Sequence, residues 1–207
     1  MKFTFNGLDF LQEGAKPKYN LESVIKDYNA GKKQKFIYFW NPTCGSINKS
    51  CLSQWQSSDF CEDTQTYSCS EQYMMSKKAE VFGDIEMQEK ILKALHPRDM
   101  KAFGQKVKGF DSRVWDKVKY TIVLQANYYK FTQNKEMMEF LLDTKDAILV
   151  EASPFDKIWG VGLDEFDESI KNPNNWKGQN LLGFALMEVR DEIKKISIIE
   201  FESLKIL

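Results

Sequence analysis

The chain has 207 residues, with 29 Lys and Arg against 30 Asp and Glu, for a net charge of -1. A lone histidine, His96, excludes a His-rich metal site or a facial triad, and the balanced charge excludes nucleic-acid binding over a broad basic surface. Hydrophobic residues at 43% and aromatics at 14% supply a core and exclude global disorder.

The N-terminal Met-Lys-Phe-Thr-Phe-Asn-Gly has no apolar run followed by a small-residue cleavage site. No stretch reaches the ~20 apolar residues of a membrane span, so a cytoplasmic protein with no membrane contact is expected. Asn20 ahead of Leu21, Val24, Ile25 and Tyr28, with Gly31 behind them, predicts a short capped helix. Residues 35–40 read as a strand ended by Asn41-Pro42. Residues 41–69 are polar, with Leu52, Trp55 and Phe60 as apolar anchors, and read as one long loop of the kind that lines a site. This stretch holds Cys44, Cys51, Cys61 and Cys69, separated by 7, 10 and 8 residues. No C-x-x-C pair is present, so reduced thiols are expected rather than zinc or disulfides, and neither metal nor cofactor is called for.

Helices are predicted over 70–82, 85–95, 98–103, 112–131, with Ser112 as its cap, and 135–142. His96-Pro97 closes the second of them, which makes His96 a boundary or surface residue rather than a general base. A strand is predicted over 147–151, irregular chain over 154–178, and a helix over 178–195. The β-branched 196–201 reads as a final strand. The expected fold class is α+β, mainly α, in a single domain over 1–207.

The helix over 70–82 carries an anomaly. With Glu71 at zero and about 100° per residue, Met75, Phe82, Met74 and Val81 form an apolar stripe. Glu71 and Lys78 fall within that stripe, while Gln72, Ser76, Ala79 and Glu80 fall on the other side and Lys77 at its flank. An unpaired buried charge costs several kcal/mol or loses its charge. The two residues are about 10.5 Å apart along the helix rise, too far for an i,i+4 pair. They describe a pocket wall, unless the helix is rotated or both heads reach water.

Other residues invite weaker readings. Trp115 lies on the apolar face of its helix. Residues 155–162 combine Asp156, Trp159, Gly160 and Gly162 in one loop, where glycine permits close backbone approach or a turn. Trp176-Lys177-Gly178-Gln179-Asn180 brings a cap and a cation to a helix N-terminus, a place that favours anions. No Ser-His-Asp, Walker or dinucleotide-binding pattern is present. The basic run from Lys101 to Lys119 is interrupted by Asp111 and Asp116 and reads as a solvated face.

Five segments together resemble the YbiA-like, or NADAR, family of N-glycosidases: Cys51-Leu-Ser-Gln-Trp55, Ser70-Glu71-Gln-Tyr73 with Lys78, Trp115-Asp-Lys-Val-Lys119, Phe155-Asp156-Lys-Ile-Trp159-Gly160, and Gly178-Gln-Asn180 through Arg190. The resemblance implies a mainly helical α+β core over 36–192, with extensions over 1–35 and 193–207. It implies cleavage of a ribose C1–N bond. Substrates of the family are ADP-ribose on guanine bases of nucleic acid or nucleotides, or phosphorylated ribosylamine intermediates of riboflavin synthesis. It assigns Glu71, Lys78 and Asp156 to catalysis and Trp115, Trp159, Tyr73, Gly160, Asn180 and Trp55 to substrate binding. No obligate protein partner is implied. The chain departs from the family in having Gln72 where relatives often carry His, and in its acidic segment Asp164 to Glu168. An ADP-ribose or nucleotide-binding module without turnover is the non-enzymatic alternative.

Overall fold

The computed structural model describes residues 4–5, 8–9, 17–43 and 45–204, with side chains described over 17–43 and 45–196. In chain order the elements are β1 (Thr4–Phe5), β2 (Leu8–Asp9), α1 (Leu21–Asn29), β3 (Phe36–Phe39), β4 (Phe60–Glu62), β5 (Gln65–Tyr67), α2 (Ser70–Val81), α3 (Ile85–Lys93), α4 (Pro97–Gly104), α5 (Ser112–Gln133), α6 (Lys135–Asp143), β6 (Ile148–Glu151) and α7 (Leu181–Leu204). Short 3-10 turns occur at Lys49–Leu52, Glu168–Lys171 and Pro173–Asn175. Seven α-helices and three two-stranded pairings among the described residues make the fold α+β and mainly α, as expected. No helix among the described residues is long and apolar enough to cross a membrane.

The chain packs as two units. The first comprises described residues of Met1–Lys16 and Gln54–Asn134; the second comprises those of Pro17–Ser53 and Lys135–Leu207.

In the first unit α2 packs against α3, α4 and α5, and β4 pairs antiparallel with β5. The α2 helix is buried almost all round, which corrects the expected division into a core stripe and a polar face. Gln72, Ser76 and Lys77 are buried, whereas Val81, assigned to the stripe, is exposed. The buried polar groups are answered locally. Gln72 Nε2 donates to the carbonyls of Ile91 and Leu92, each at 3.1 Å, where α3 ends. Its Oε1 accepts from the Ser68 N–H at 2.8 Å and from the Ser68 hydroxyl at 3.1 Å. One amide therefore ties the approach to α2 to the last carbonyls of α3, which a helix end otherwise leaves bare.

In the second unit β3 and β6 pair in parallel, from Phe36 opposite Ile148 to Phe39 opposite Glu151. The α7 helix packs along β6. Asn20 caps α1 as expected, its Oδ1 accepting from the Ser23 N–H at 2.8 Å.

Three expectations are corrected. The long loop 41–69 contains the 3-10 turn Lys49–Leu52 and the β4–β5 hairpin. Strands of three residues are too short to display alternation, and the turn rests on Asp63 at φ 51°, a left-handed conformation that Asp tolerates. The 196–201 strand is instead a continuation of α7, since an established helix adds a bond per residue without a new nucleus. The cap of α5 is Asp111 rather than Ser112, with Oδ1 accepting from the Arg113 N–H at 2.8 Å. Cys44 and the ends of the two expected extensions lie outside the described residues.

Gln72→Ala would strand the Ser68 N–H and the α3 carbonyls in a buried place. It is expected to lower the unfolding free energy by about 1–3 kcal/mol, read as an earlier urea midpoint at unchanged m-value.

Candidate active site

The first unit gathers a cluster around α2. Its first turn emerges from Cys69, whose extended backbone precedes the helix, and the Glu71 N–H donates to the Gln54 carbonyl at 3.0 Å. Glu71 is only 5% exposed. Beside it lies Cys69, whose thiol pKa is raised chiefly by burial; the Glu71 charge raises it further and the Lys130 charge lowers it. Lys130, on α5, is 0% exposed and was passed over in the sequence. Nothing in the periodicity of a long helix marks one lysine as buried.

Lys77 and Lys78 are adjacent and treated oppositely. Lys77 Nζ lies 2.6 Å from Glu62 Oε2 and 3.1 Å from Glu80 Oε2. Burial works against its charge, but Glu62 and Glu80 outweigh this and its pKa is raised. Lys78, about 100° further round the helix, has no carboxylate partner among the described residues. Its Nζ donates to the Gly104 carbonyl at 2.8 Å. It lies 4.2 Å from the Phe110 ring centroid and 5.8 Å from that of Trp115. One carbonyl and two ring faces replace only part of the water it gives up, and desolvation lowers its pKa. Gly104 makes this possible: a Cβ there would fall 2.0 Å from Met75 Sδ, so glycine lets α4 approach α2 closely enough for its carbonyl to reach Lys78. Phe110 and Gly104 carried no sequence signal, since each meets Lys78 only through tertiary packing.

Trp115 is 8% exposed and forms one wall of this corner. Trp55 is half-buried, with Lys101 Nζ 6.0 Å from its ring centroid. Tyr73 lies in the core of the unit. Its ring packs edge-on to Tyr67 at 4.8 Å, and its hydroxyl donates to Glu62 Oε1 at 2.7 Å. Burial and the Glu62 carboxylate both raise its pKa. Tyr73 thus presents no surface to a ligand and serves to hold Glu62 in place for Lys77.

The second unit holds Asp156, Trp159, Gly160 and Asn180. Asp156 Oδ1 accepts from the N–H groups of Ile158 at 2.9 Å and Trp159 at 2.8 Å, a turn that sets the Trp159 ring. The other oxygen, Oδ2, has no hydrogen-bond partner among the described residues. Trp159 and Gly160 are buried. The Gly160 carbonyl accepts from the Asn180 N–H at 3.1 Å. Asn180, at φ 56° and 0% exposure, spends its side chain on β6: Oδ1 accepts from the Glu151 N–H at 3.0 Å and Nδ2 donates to the Leu149 carbonyl at 2.8 Å. Tyr28, Phe155 and Phe166 are the exposed aromatics among the described residues of this unit. Cys51, Cys61 and Cys69 form no disulfide among the described residues, and no group of three His, Cys, Asp or Glu among them is arranged to hold a metal.

Comparison with known proteins places this arrangement. Residues 38–194 match the NADAR domain. An N-glycosidase of Acanthamoeba polyphaga mimivirus is 38% identical over 164 residues, covering 76% of this chain and 96% of its own length. The Caenorhabditis elegans protein irg-1 is 36% identical over 168 residues, covering 76% of this chain and 79% of its own. The NMR structure of Escherichia coli YbiA superposes with a TM-score of 0.65 at 26% identity, covering 80% of this chain and 89% of that one. The match spans most of the chain and includes both the α2 cluster and the Asp156 loop, and the chain belongs to the NADAR domain family.

Proposed function

We propose that the protein is an N-glycosidase that hydrolyses a ribose C1–N bond, with ADP-ribose on guanine bases of nucleic acid or nucleotides as substrate. Relatives named N-glycosidase support the reaction class. The observation that carries the assignment of the site is Lys78: a half-buried lysine with a lowered pKa, no carboxylate beside it among the described residues, and an aromatic corner around it.

Cleavage develops positive charge at C1 and negative charge on the departing base. In the proposed step the neutral Lys78 amine attacks C1 as the C1–N bond breaks. The base leaves with the bonding pair and takes a proton from Glu71, the general acid. Opening of the ribose ring turns the adduct into a Schiff base. Water then adds at C1, assisted by Glu71 as base, and expels Lys78. The sum is one water consumed and one C–N bond replaced by C–O and N–H. Trp115 offers its face to the base or sugar. In the second unit the open Oδ2 of Asp156 has the chemistry to accept from ribose hydroxyls.

A side-by-side assay of an ADP-ribosylated guanine oligonucleotide, the corresponding free nucleotide and riboflavin-pathway ribosylamines tests the substrate. Base release from the first two, well above the third, is the expected result. Preferential turnover of the ribosylamines would reassign it. Glu71→Gln is expected to lower kcat about 10²–10⁴-fold with KM nearly unchanged. Lys78→Ala and Lys78→Arg should both abolish the borohydride-trapped adduct. Full activity in Lys78→Ala would sink the proposal. By contrast, Lys77→Ala should leave chemistry intact but destabilise the fold by about 1–3 kcal/mol, because Glu62 loses its buried cation.

The pH dependence has a definite sign. Lowering the Lys78 pKa makes the neutral amine available at lower pH, so kcat should rise with pH along a limb centred below the ordinary lysine value. For stability, the unfolded chain binds the Lys78 proton more tightly than the folded one. This contribution therefore grows as pH rises from the folded toward the unfolded pKa. Loss of the alkaline limb in Lys78→Arg, followed by stopped-time product analysis, checks the assignment.

A further inference from the structure

The second unit contains a cavity of about 520 Å³ that the proposed reaction does not use. It lies at the start of the parallel β3–β6 pair, where Lys35 precedes β3 and Ala147 and Ile148 open β6. The Asp156 loop leaves from the other end of β6, about 10 Å away along the strands at ~3.3 Å per residue.

The wall has two chemistries. Val24, Ile148 and Met187 are buried and form an apolar floor. Lys33, Lys35 and Lys145 are exposed on the wall and have no ion pair among the described residues. The other charged groups are mostly spent. Lys18 is paired with Asp191, which also accepts from the Tyr19 hydroxyl at 2.6 Å. Asp27 is paired with Lys32 at 2.7 Å. Among the described wall residues, Asp146 is the carboxylate left to oppose three lysines. Arg190 stands behind the wall, with Nη1 donating to Thr144 Oγ1 at 2.7 Å and to the Ala147 carbonyl at 2.9 Å, and adds positive field from inside.

Three unpaired ammonium groups around an apolar floor select a ligand with clustered negative charge and a flat apolar part. The volume falls in the range of ~300–1,000 Å³ typical of small-molecule sites. Lysine binds phosphate as a mobile point charge. A concave site with an apolar floor suits one small molecule better than a polymer backbone, which agrees with a chain whose net charge is only -1. We infer that this cavity is a second ligand site, separate from the α2 cluster, that takes a nucleoside diphosphate, with the phosphates on Lys33, Lys35 and Lys145 and the base over Val24, Ile148 and Met187.

The test is calorimetric titration of the 207-residue chain with ADP, pyrophosphate and adenosine, together with methyl NMR of the methionines. ADP is expected to bind wild type and Lys78→Ala equally, to shift the Met187 methyl signal, and to bind more weakly as NaCl rises. Pyrophosphate should compete and adenosine alone should not. Lys33→Glu/Lys35→Glu/Lys145→Glu should weaken ADP at least tenfold with an unchanged circular dichroism spectrum. Lys33→Gln/Lys145→Gln, a milder pair, should weaken it at least threefold. Absence of ADP binding, equal affinity in the lysine variants, a still Met187 signal, or adenosine binding as tightly as ADP would overturn the assignment. No arm depends on hydrolysis, so failure here and failure of the N-glycosidase reading are separately visible.

Discussion

The first unit depends on one constraint: α2 has almost no solvent face, yet it carries two glutamates, a glutamine and two lysines. A buried polar group without a partner costs on the order of 1–3 kcal/mol, and a buried charge more. The surrounding elements therefore have to be shaped to answer each side chain. Gln72 recruits the end of α3, and Tyr73 and Lys77 recruit Glu62 at the tip of the β4–β5 hairpin. Lys78 receives only the Gly104 carbonyl and two aromatic faces. In the proposed mechanism reactivity is selective under-solvation: Lys77 is compensated by two carboxylates, and its neighbour Lys78 only partly by a carbonyl and two rings.

The unevenness also explains why glycine stands at the end of α4. A side chain at Gly104 would collide with the Met75 side chain, so either Met75 or α4 would have to shift. The bare Cα lets the Gly104 carbonyl stay on Lys78 with Met75 packed where it is.

Much of this was legible from the residues, though not always for the reason first given. Glu71 and Lys78 stand out because charged groups interrupt an apolar pattern, and Glu71 proves buried and Lys78 half-buried. The pattern itself assumes one wet face, and α2 lacks one, so Gln72, Ser76 and Val81 were placed on the wrong side. Caps such as Asn20 were readable because capping is local. The Lys78 partners were not, since Gly104 lies 26 residues downstream and no local spacing encodes that meeting. Lys130 was hidden for the same reason. In the second unit, Asp156 and Trp159 were visible as residue types. That Asp156 bonds the N–H of Trp159 became visible only in the folded loop.

The Asn180 side chain has a consequence beyond the loop it sits in. Its amide meets β6 as a neighbouring strand would, taking the Glu151 N–H and the Leu149 carbonyl, while the Val161 N–H takes the Glu151 carbonyl. These are the groups of β6 that point away from β3. A two-stranded parallel sheet rich in Ile, Leu and Val would otherwise offer an open template for another chain. Asn180 and Val161 close the outer edge of β6 with two residues rather than a third strand, so that edge does not invite intermolecular β-pairing.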